Sequence, residues 1–252
     1  MIKRQPRNWR GGFTLIELII IIAVLAVLAT TLAPAIVQQL TDQRVDGTRD
    51  EARSLYEAIV GRAGQPGNFG YVGDMGRLPD TFAALVQSGG LPLYTTNTQG
   101  QVGMGWRGPY VNVGRSQTDY LSDEFGRAYT GASTGQVRRA GPEGAAGTAD
   151  DVVYPPSPPV FTGRVIVTVK TIVSNKTVVD PAGYDVTLYY SNGGTETSLS
   201  DAVSPFVFDI VPMGLHHIQV IKRSSPQAGS IVARETVLTQ GSGRTTPVEL
   251  WF

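Results

Sequence analysis

From Leu18 to Val37 the chain carries no charged residue, and Thr30 and Thr31 are its only polar groups there. A helix crosses a bilayer core with about 20 apolar residues, so this run predicts a membrane-spanning helix. Past it the pattern thins. Ile36, Leu40, Leu55 and Ile59 form a sparse apolar stripe among Asp42, Arg44, Asp46, Arg49, Asp50, Glu51 and Arg53. One apolar face among charges predicts that the helix continues to about Val60 in amphipathic form. Pro34 removes a helical hydrogen bond and Gly47 weakens the helix, so both mark places where it can bend.

Residues 61–154 are rich in glycine and have few periodic runs. Thr81–Val86 predicts a short helix opened by Pro79-Asp80 and ended by Gly89-Gly90. Tyr110–Val113 and Arg127–Thr130 are expected as short strands. Pro155-Pro-Ser-Pro-Pro159 predicts a stiff extended spacer and a domain boundary. Beyond it, six segments are rich in Val, Ile, Tyr, Phe and Thr: 163–173, 184–191, 205–211, 215–222, 230–239 and 245–252. Val165, Val167 and Val169 fall on one face, as do Val186, Leu188 and Tyr190, and Phe206, Phe208 and Ile210. Asn192-Gly193-Gly194 and Pro212-Met-Gly214 separate strands. Short strands at this spacing predict a β-sandwich.

There is no cysteine, which excludes disulfides, thiolate zinc sites and cysteine nucleophiles. Thirty glycines and sixteen prolines fit a turn-rich body. The chain has 21 basic and 21 acidic residues. Lys3, Arg4, Arg7 and Arg10 lie in residues 1–12, which hold no acid; without them 17 basic residues face 21 acidic ones, a net of −4. That excludes a nucleic-acid partner, which needs a basic stripe. The four leader cations instead favour a cytoplasmic N-terminus.

Glu17 sits at the start of the apolar run. A carboxylate in a membrane helix costs roughly 2.5–3.5 kcal/mol at mid-depth, less near the interface, and asks for a functional reason. A cut between Gly12 and Phe13 would create a partner, the α-amine of Phe13, able to neutralise Glu17 of a neighbouring copy. A plain signal-anchor leaves Glu17 without a reason. Signal peptidase cleavage after Ala33-Pro34-Ala35 would need a shorter apolar core.

Gly12-Phe13-Thr14-Leu15-Ile16-Glu17 resembles the prepilin cleavage and methylation motif of the type IV pilin superfamily. The resemblance implies that a prepilin peptidase cuts after Gly12 and methylates the amine of Phe13, and that Glu17 serves filament assembly. Pro34 falls where many family helices carry a loosening proline. Gly76-Arg-Leu-Pro79, Arg107-Gly-Pro-Tyr110, Asp123-Glu-Phe-Gly-Arg-Ala-Tyr129 and Ala140-Gly-Pro-Glu-Gly144 with Thr148-Ala-Asp-Asp151 resemble segments of the major pseudopilin of type II secretion systems. Glu124, Phe125 and Ala128 depart from that pattern. The family binds calcium at the last of these loops, which implies Glu143, Asp150 and Asp151 as candidate ligands, with carbonyls near Ala140. Calcium takes about six to eight oxygens. Glu143 stands where the family commonly has Asp, and which of Asp150 and Asp151 points inward stays open. A solvated acidic loop is the other possibility.

Phe206–Val220 and the Gly163-Arg-Val-Ile-Val opening look like carboxypeptidase-regulatory-like sandwich domains, of the immunoglobulin-like or transthyretin-like class. That implies a binding or spacer module without catalytic residues. His216 and His217 are neighbours, so on a strand they point to opposite faces and cannot share a metal from one face; one packed and one exposed histidine is expected.

The expected fold is therefore α+β. A leader, 1–12, precedes a helix, 13–60, with its transmembrane part at 13–37. A small pseudopilin-type sheet domain, 61–154, a proline linker, 155–159, and a β-sandwich, 160–252, follow. The expected protein is no enzyme. It is a single-pass inner-membrane subunit of a secretion filament, with its C-terminal domains in the periplasm or on an extracellular filament. Its expected partners are its own copies, prepilin peptidase, the inner-membrane assembly platform and other pseudopilins. The alternative is a minor pilin or pseudopilin that binds cargo or a surface ligand through the sandwich.

Overall fold

The computed structural model describes residues 14–62, 65, 67–97, 102–111, 119–173, 176–179, 183–223 and 228–252, with the backbone alone at 119 and 171–179. Helix α1 runs from Leu15 to Val60 and passes through Pro34 without interruption. The chain divides into two compact units, Met1–Asp46 and Gly47–Phe252.

In the first unit no large apolar side chain from Leu15 to Leu40 is less than 43% exposed. Thr30 and Thr31 turn their hydroxyls back onto the carbonyls of Val27 (2.8 Å) and Leu28 (3.0 Å). Such back-bonding hides the only polar groups of the run. The outcome is a helix surface that is apolar all round, long enough to cross a membrane.

The second unit begins with the buried helix face Thr48, Ala52, Leu55, Ala58 and Ile59. The stripe therefore starts at Thr48; Ile36 and Leu40 are exposed. Next come a short helix α2 (Gly70–Met75), which the glycine-rich sequence concealed, and a 3₁₀ turn at Phe82–Leu85 where a short helix was expected. Strands β1 (Thr95–Thr96) and β2 (Gly103–Met104) pair antiparallel, as do β3 (Val137–Arg139) and β4 (Val152–Tyr154). No strand forms at Tyr110 or across Arg127–Thr130. Isolated bridges join Ala128 to Ser122 and Thr130 to Arg138, and residues 112 and 113 lie outside the described residues.

The sandwich has two sheets. One is ordered β11 (Ile231–Thr239), β10 (Gly214–Lys222), β7 (Tyr184–Asn192), β8 (Thr195–Asp201). In the other, β5 (Thr162–Val173) pairs with β12 (Thr245–Trp251) in parallel, and with β6 (Lys176–Val179) and β9 (Phe206–Pro212) antiparallel. All six expected strands appear. β6 and β8 are additional, and β8 is joined to β7 through Gly193 and Gly194, both at positive φ, as a tight hairpin requires. Val165, Val167, Val169, Val186, Leu188, Phe206, Phe208, Ile218 and Val220 fill the core.

Two expectations fail for tertiary reasons. Ile210 does not join Phe206 and Phe208 inside; it is 78% exposed at φ +58°. The β5–β9 register shifts between Gly163 and Val165, so one extra residue on β9 reverses the alternation and Val211 turns inward instead. His216 and His217 are both buried, at 2% and 0% exposure. His216 shares the face of Ile218 and Val220, whereas His217 stacks at 6.0 Å on Tyr189 of β7.

Nor does the proline segment hold the sandwich away as an extended spacer. Residues 155–157 bend, and the Pro155 carbonyl accepts from Gln136 Nε2 at 2.9 Å. The sandwich meets α2 directly: the Ser191 hydroxyl donates to the Asp74 carbonyl (2.9 Å), and the Gly194 N–H to the Met75 carbonyl (3.0 Å). Gly76, at φ +70°, makes that approach possible, because a Cβ there would lie 1.7 Å from the Ser191 carbonyl oxygen.

Candidate functional site

At the helix start the structure describes Thr14 and Glu17; Gly12 and Phe13, the expected cleavage and methylation positions, lie outside the described residues. Glu17 N–H donates to Thr14 Oγ1 (3.3 Å), and Thr14 N–H donates back to Glu17 Oε2 (3.3 Å). This reciprocal pair is a capping box that satisfies two otherwise free N–H groups at the N-terminus of α1. Thr14-x-x-Glu17 is legible in the sequence, yet only the structure connects it to Glu17. The carboxylate thus has work within its own chain, capping the helix.

The acidic loop is built on the turn that precedes it. Asp123 Oδ1 accepts the N–H groups of Phe125 and Arg127, both at 2.8 Å, and Gly126 takes φ +75° to close the turn. The other oxygen of Asp123 pairs with Arg139 of β3, and both side chains are fully buried. Arg139 also lies 4.3 Å from the centre of the Phe125 ring. From this turn the Arg127 side chain reaches the loop: Nη1 donates to the Gly141 carbonyl (2.5 Å) and Nη2 to the Pro142 carbonyl (2.9 Å).

Within the loop the two adjacent aspartates separate. Asp151 is tied to the backbone, accepting from Gly147 N–H (2.6 Å) and Gly141 N–H (3.1 Å), and these bonds hold its carboxyl below the usual range. Asp150 turns the other way, towards Glu143. A Cβ at Gly141 would lie 2.0 Å from Asp150 Oδ2 and 2.6 Å from Glu143 Oε2, so both carboxylates converge beside that glycine. A hydrogen bond with Glu143 holds the Asp150 carboxyl low as well. Glu143 in addition accepts from the Thr148 hydroxyl. The structure brings Glu143 and Asp150 side by side, and ties Asp151 to the backbone next to them, with its Oδ1 3.3 Å from the same Thr148 hydroxyl. Among the described residues no group of three or more His, Asp or Glu side chains is arranged to hold a metal.

A second polar hub is Asp74, nearly buried at 3% exposure. Its Oδ2 accepts from Arg107 Nε (3.1 Å) and the Tyr110 hydroxyl (3.0 Å). The Arg107-Gly-Pro-Tyr110 turn therefore folds both ends onto one carboxylate. Burial raises the Asp74 carboxyl above its usual range, and Arg107 and Tyr110 work against that rise. Tyr129 meets the helix in the same manner, donating to Glu51 at 2.6 Å. Neither Asp74 nor Arg139 stood out in the sequence; each is an ordinary charge until the fold buries it.

The sequence pattern of the prokaryotic N-terminal methylation motif matches residues 10–33, which include Gly12, Phe13 and Glu17. The chain thus carries the mark of a type IV pilin-like substrate of prepilin peptidase, and its apolar helix is consistent with membrane anchoring. No curated protein matches the chain. Among solved structures, a Pseudomonas aeruginosa protein described as a candidate carbohydrate binding protein is similar over 37% of this chain and 90% of its own, with 14% identity and a TM-score of 0.27. A likeness at that level bears on neither fold nor function.

Proposed function

We propose that this chain is a pilin-like structural subunit of the type II secretion pseudopilin kind. It is cut after Gly12, methylated on Phe13 and assembled into a helical filament for protein secretion. The carrying observation is the methylation motif at 10–33 leading directly into the helix segment Leu15–Leu40, in which every large apolar side chain is at least 43% exposed. Such a surface needs lipid before assembly and neighbouring helices after it. In the filament Glu17 meets the Phe13 amine of an adjacent copy, replacing part of its capping bond to Thr14. Residues 47–252 form the filament's outer surface.

Mass spectrometry of the mature chain tests the first half: its N-terminus is expected to be N-methyl-Phe13. Glu17→Ala tests the second. The variant is expected to enter the membrane normally while recovery of sheared filaments falls at least tenfold; normal recovery would remove the pairing mechanism. Glu17→Gln separates charge from capping, because glutamine still completes a capping box.

A minor subunit that holds cargo or a surface ligand is the second reading. It is favoured by apolar groups left open on the sandwich, Val203 at 72%, Ile210 at 78% and Trp251 at 53% exposure. Stoichiometry decides between the two, since a main subunit dominates a purified filament.

A further inference from the structure

Calcium is the group that the family resemblance implies for the loop at residues 140–151, and the donor set here does not fit it. A calcium shell needs about six to eight oxygens, drawn from carboxylates and loop carbonyls with free lone pairs. The Gly141 carbonyl has none left, because it accepts from both Arg127 Nη1 (2.5 Å) and Gly144 N–H (2.9 Å). The Pro142 carbonyl faces the same guanidinium at 2.9 Å. Asp151 is already engaged by the loop, its Oδ1 accepting from Gly141 N–H and the Thr148 hydroxyl and its Oδ2 from Gly147 N–H, which leaves one open acceptor site on Oδ2. The carboxylates least engaged are then Glu143 and Asp150, and with Arg127 holding two of the loop's carbonyls the oxygens on offer fall short of about six to eight. A cation at those carbonyls would also meet the fixed positive charge of Arg127, and Arg139 adds a second one that acts on all three acids.

We infer that the guanidinium of Arg127 closes this loop in place of a metal ion. Its planar fork supplies two donors to two successive carbonyls, a geometry that a point charge cannot reproduce. The arginine is itself held at its backbone by Asp123, which also anchors Arg139 at the start of the loop. One carboxylate therefore fixes both arginines, and the loop is clamped from its entry strand and from the preceding turn. Two glycines keep the space open. Gly144 stands at φ +81°, with its absent Cβ 2.9 Å from Arg127 Cζ, and Gly141 leaves room for Asp150. In the segment Asp123-Glu-Phe-Gly-Arg-Ala-Tyr129, the decisive residue occupies the position at which the resembling pattern tolerates any side chain. The consequence is a body whose stability does not follow the calcium level of its compartment. This inference stands on residues 123–151 alone and is independent of the filament assignment.

The test uses the full-length mature chain in detergent, melted with chelator and with millimolar calcium. The wild type is expected to give the same melting temperature in both. Arg127→Met is expected to melt several degrees lower in both conditions and to be cleaved faster within residues 140–151 by a probing protease. Arg127→Lys should recover only part of the loss, since it keeps the charge without the fork. If Arg127→Met fails to fold, the double variant Glu143→Gln with Asp150→Asn carries the test. It removes the remaining carboxylate pair and is expected to melt no lower than wild type. A melting temperature that rises with calcium in the wild type, and no longer does so in that double variant, would overturn the inference.

Discussion

In the sandwich, ion pairs among the described residues lie at the surface: Arg164 with Asp209, Lys170 with Glu249 at 2.7 Å, and Arg223 with Asp185 at 2.5 Å, all partly open to solvent. In the segment before it Arg77 and Asp80 also pair at the surface, at 3.2 Å, but two other aspartates go inside with their partners. Asp123 and Arg139 are fully buried, and Asp74 holds Arg107 and Tyr110 while almost out of contact with water. The difference follows from backbone accounting. Strands pair their own N–H and C=O groups, so an apolar core suffices to hold them. Residues 67–154 have only short helices, turns and two- or three-residue strands among their described elements. Some of their free N–H groups find a carboxylate as acceptor, as those of Phe125 and Arg127 do at Asp123. Each such aspartate then needs a counter-charge, which arginine provides. Without cysteine, polar hubs take the part that disulfides play in other loop-rich bodies.

Removing one hub should show the contrast most strongly. Asp123→Ala leaves Arg139 buried without its partner, and breaking a buried pair costs about 3–5 kcal/mol. Denaturant unfolding of the full chain measures it. Replacing both members, Asp123→Ala with Arg139→Met, should recover part of the loss. A single variant as stable as wild type would mean that the pair carries no weight.

A smaller effect comes from acid, and it acts on the sandwich. His216 is buried with Nε2 at 2.7 Å from the Pro212 carbonyl, and burial lowers its pKa to about 4. The unfolded chain takes up this proton near pH 6.5 while the folded one refuses it until about pH 4. The associated stability is therefore complete above pH 6.5 and declines as pH falls towards 4, by about 3 kcal/mol in total. Burial shifts His217 in the same direction. Asp74, raised rather than lowered, works in the opposite sense at the acid end. His216→Phe should flatten the loss of stability between pH 6.5 and 4; an unchanged slope would show that another group dominates.

The smallest change completes the comparison. Asp185→Ala removes the half-exposed partner of Arg223 and should cost less than about 1 kcal/mol, as surface pairs do. A loss as large as that from Asp123→Ala would erase the distinction between the two regions.

The sandwich was legible because strand alternation depends only on which residues lie two apart. Val165, Val167 and Val169 declare a buried face whatever surrounds them. The exceptions arose where a partner strand intervened: the bulge opposite Arg164 reversed Ile210, and neighbours on both faces of β10 buried His216 together with His217. In the middle segment almost nothing was periodic, so α2 went unseen and Tyr110 was expected in a strand instead of on Asp74. Around the acidic loop the carboxylates were visible and the arginines were not. Arg127 lies 14 residues from the Gly141 carbonyl that it binds, and nothing in composition or spacing links the two.

By itself the sequence determined the methylation motif at 10–33, the apolar helix from Leu18 to Val37 and the strands of the sandwich. All of these are written in neighbouring residues or in a short period. The tertiary structure decided which charges were buried, which aspartate faced Glu143, and that the sandwich rests on α2 through Gly76 rather than standing off on its prolines. Those outcomes depend on distant segments meeting at atomic range. A missing Cβ or a guanidinium fork acquires meaning only from what is brought against it.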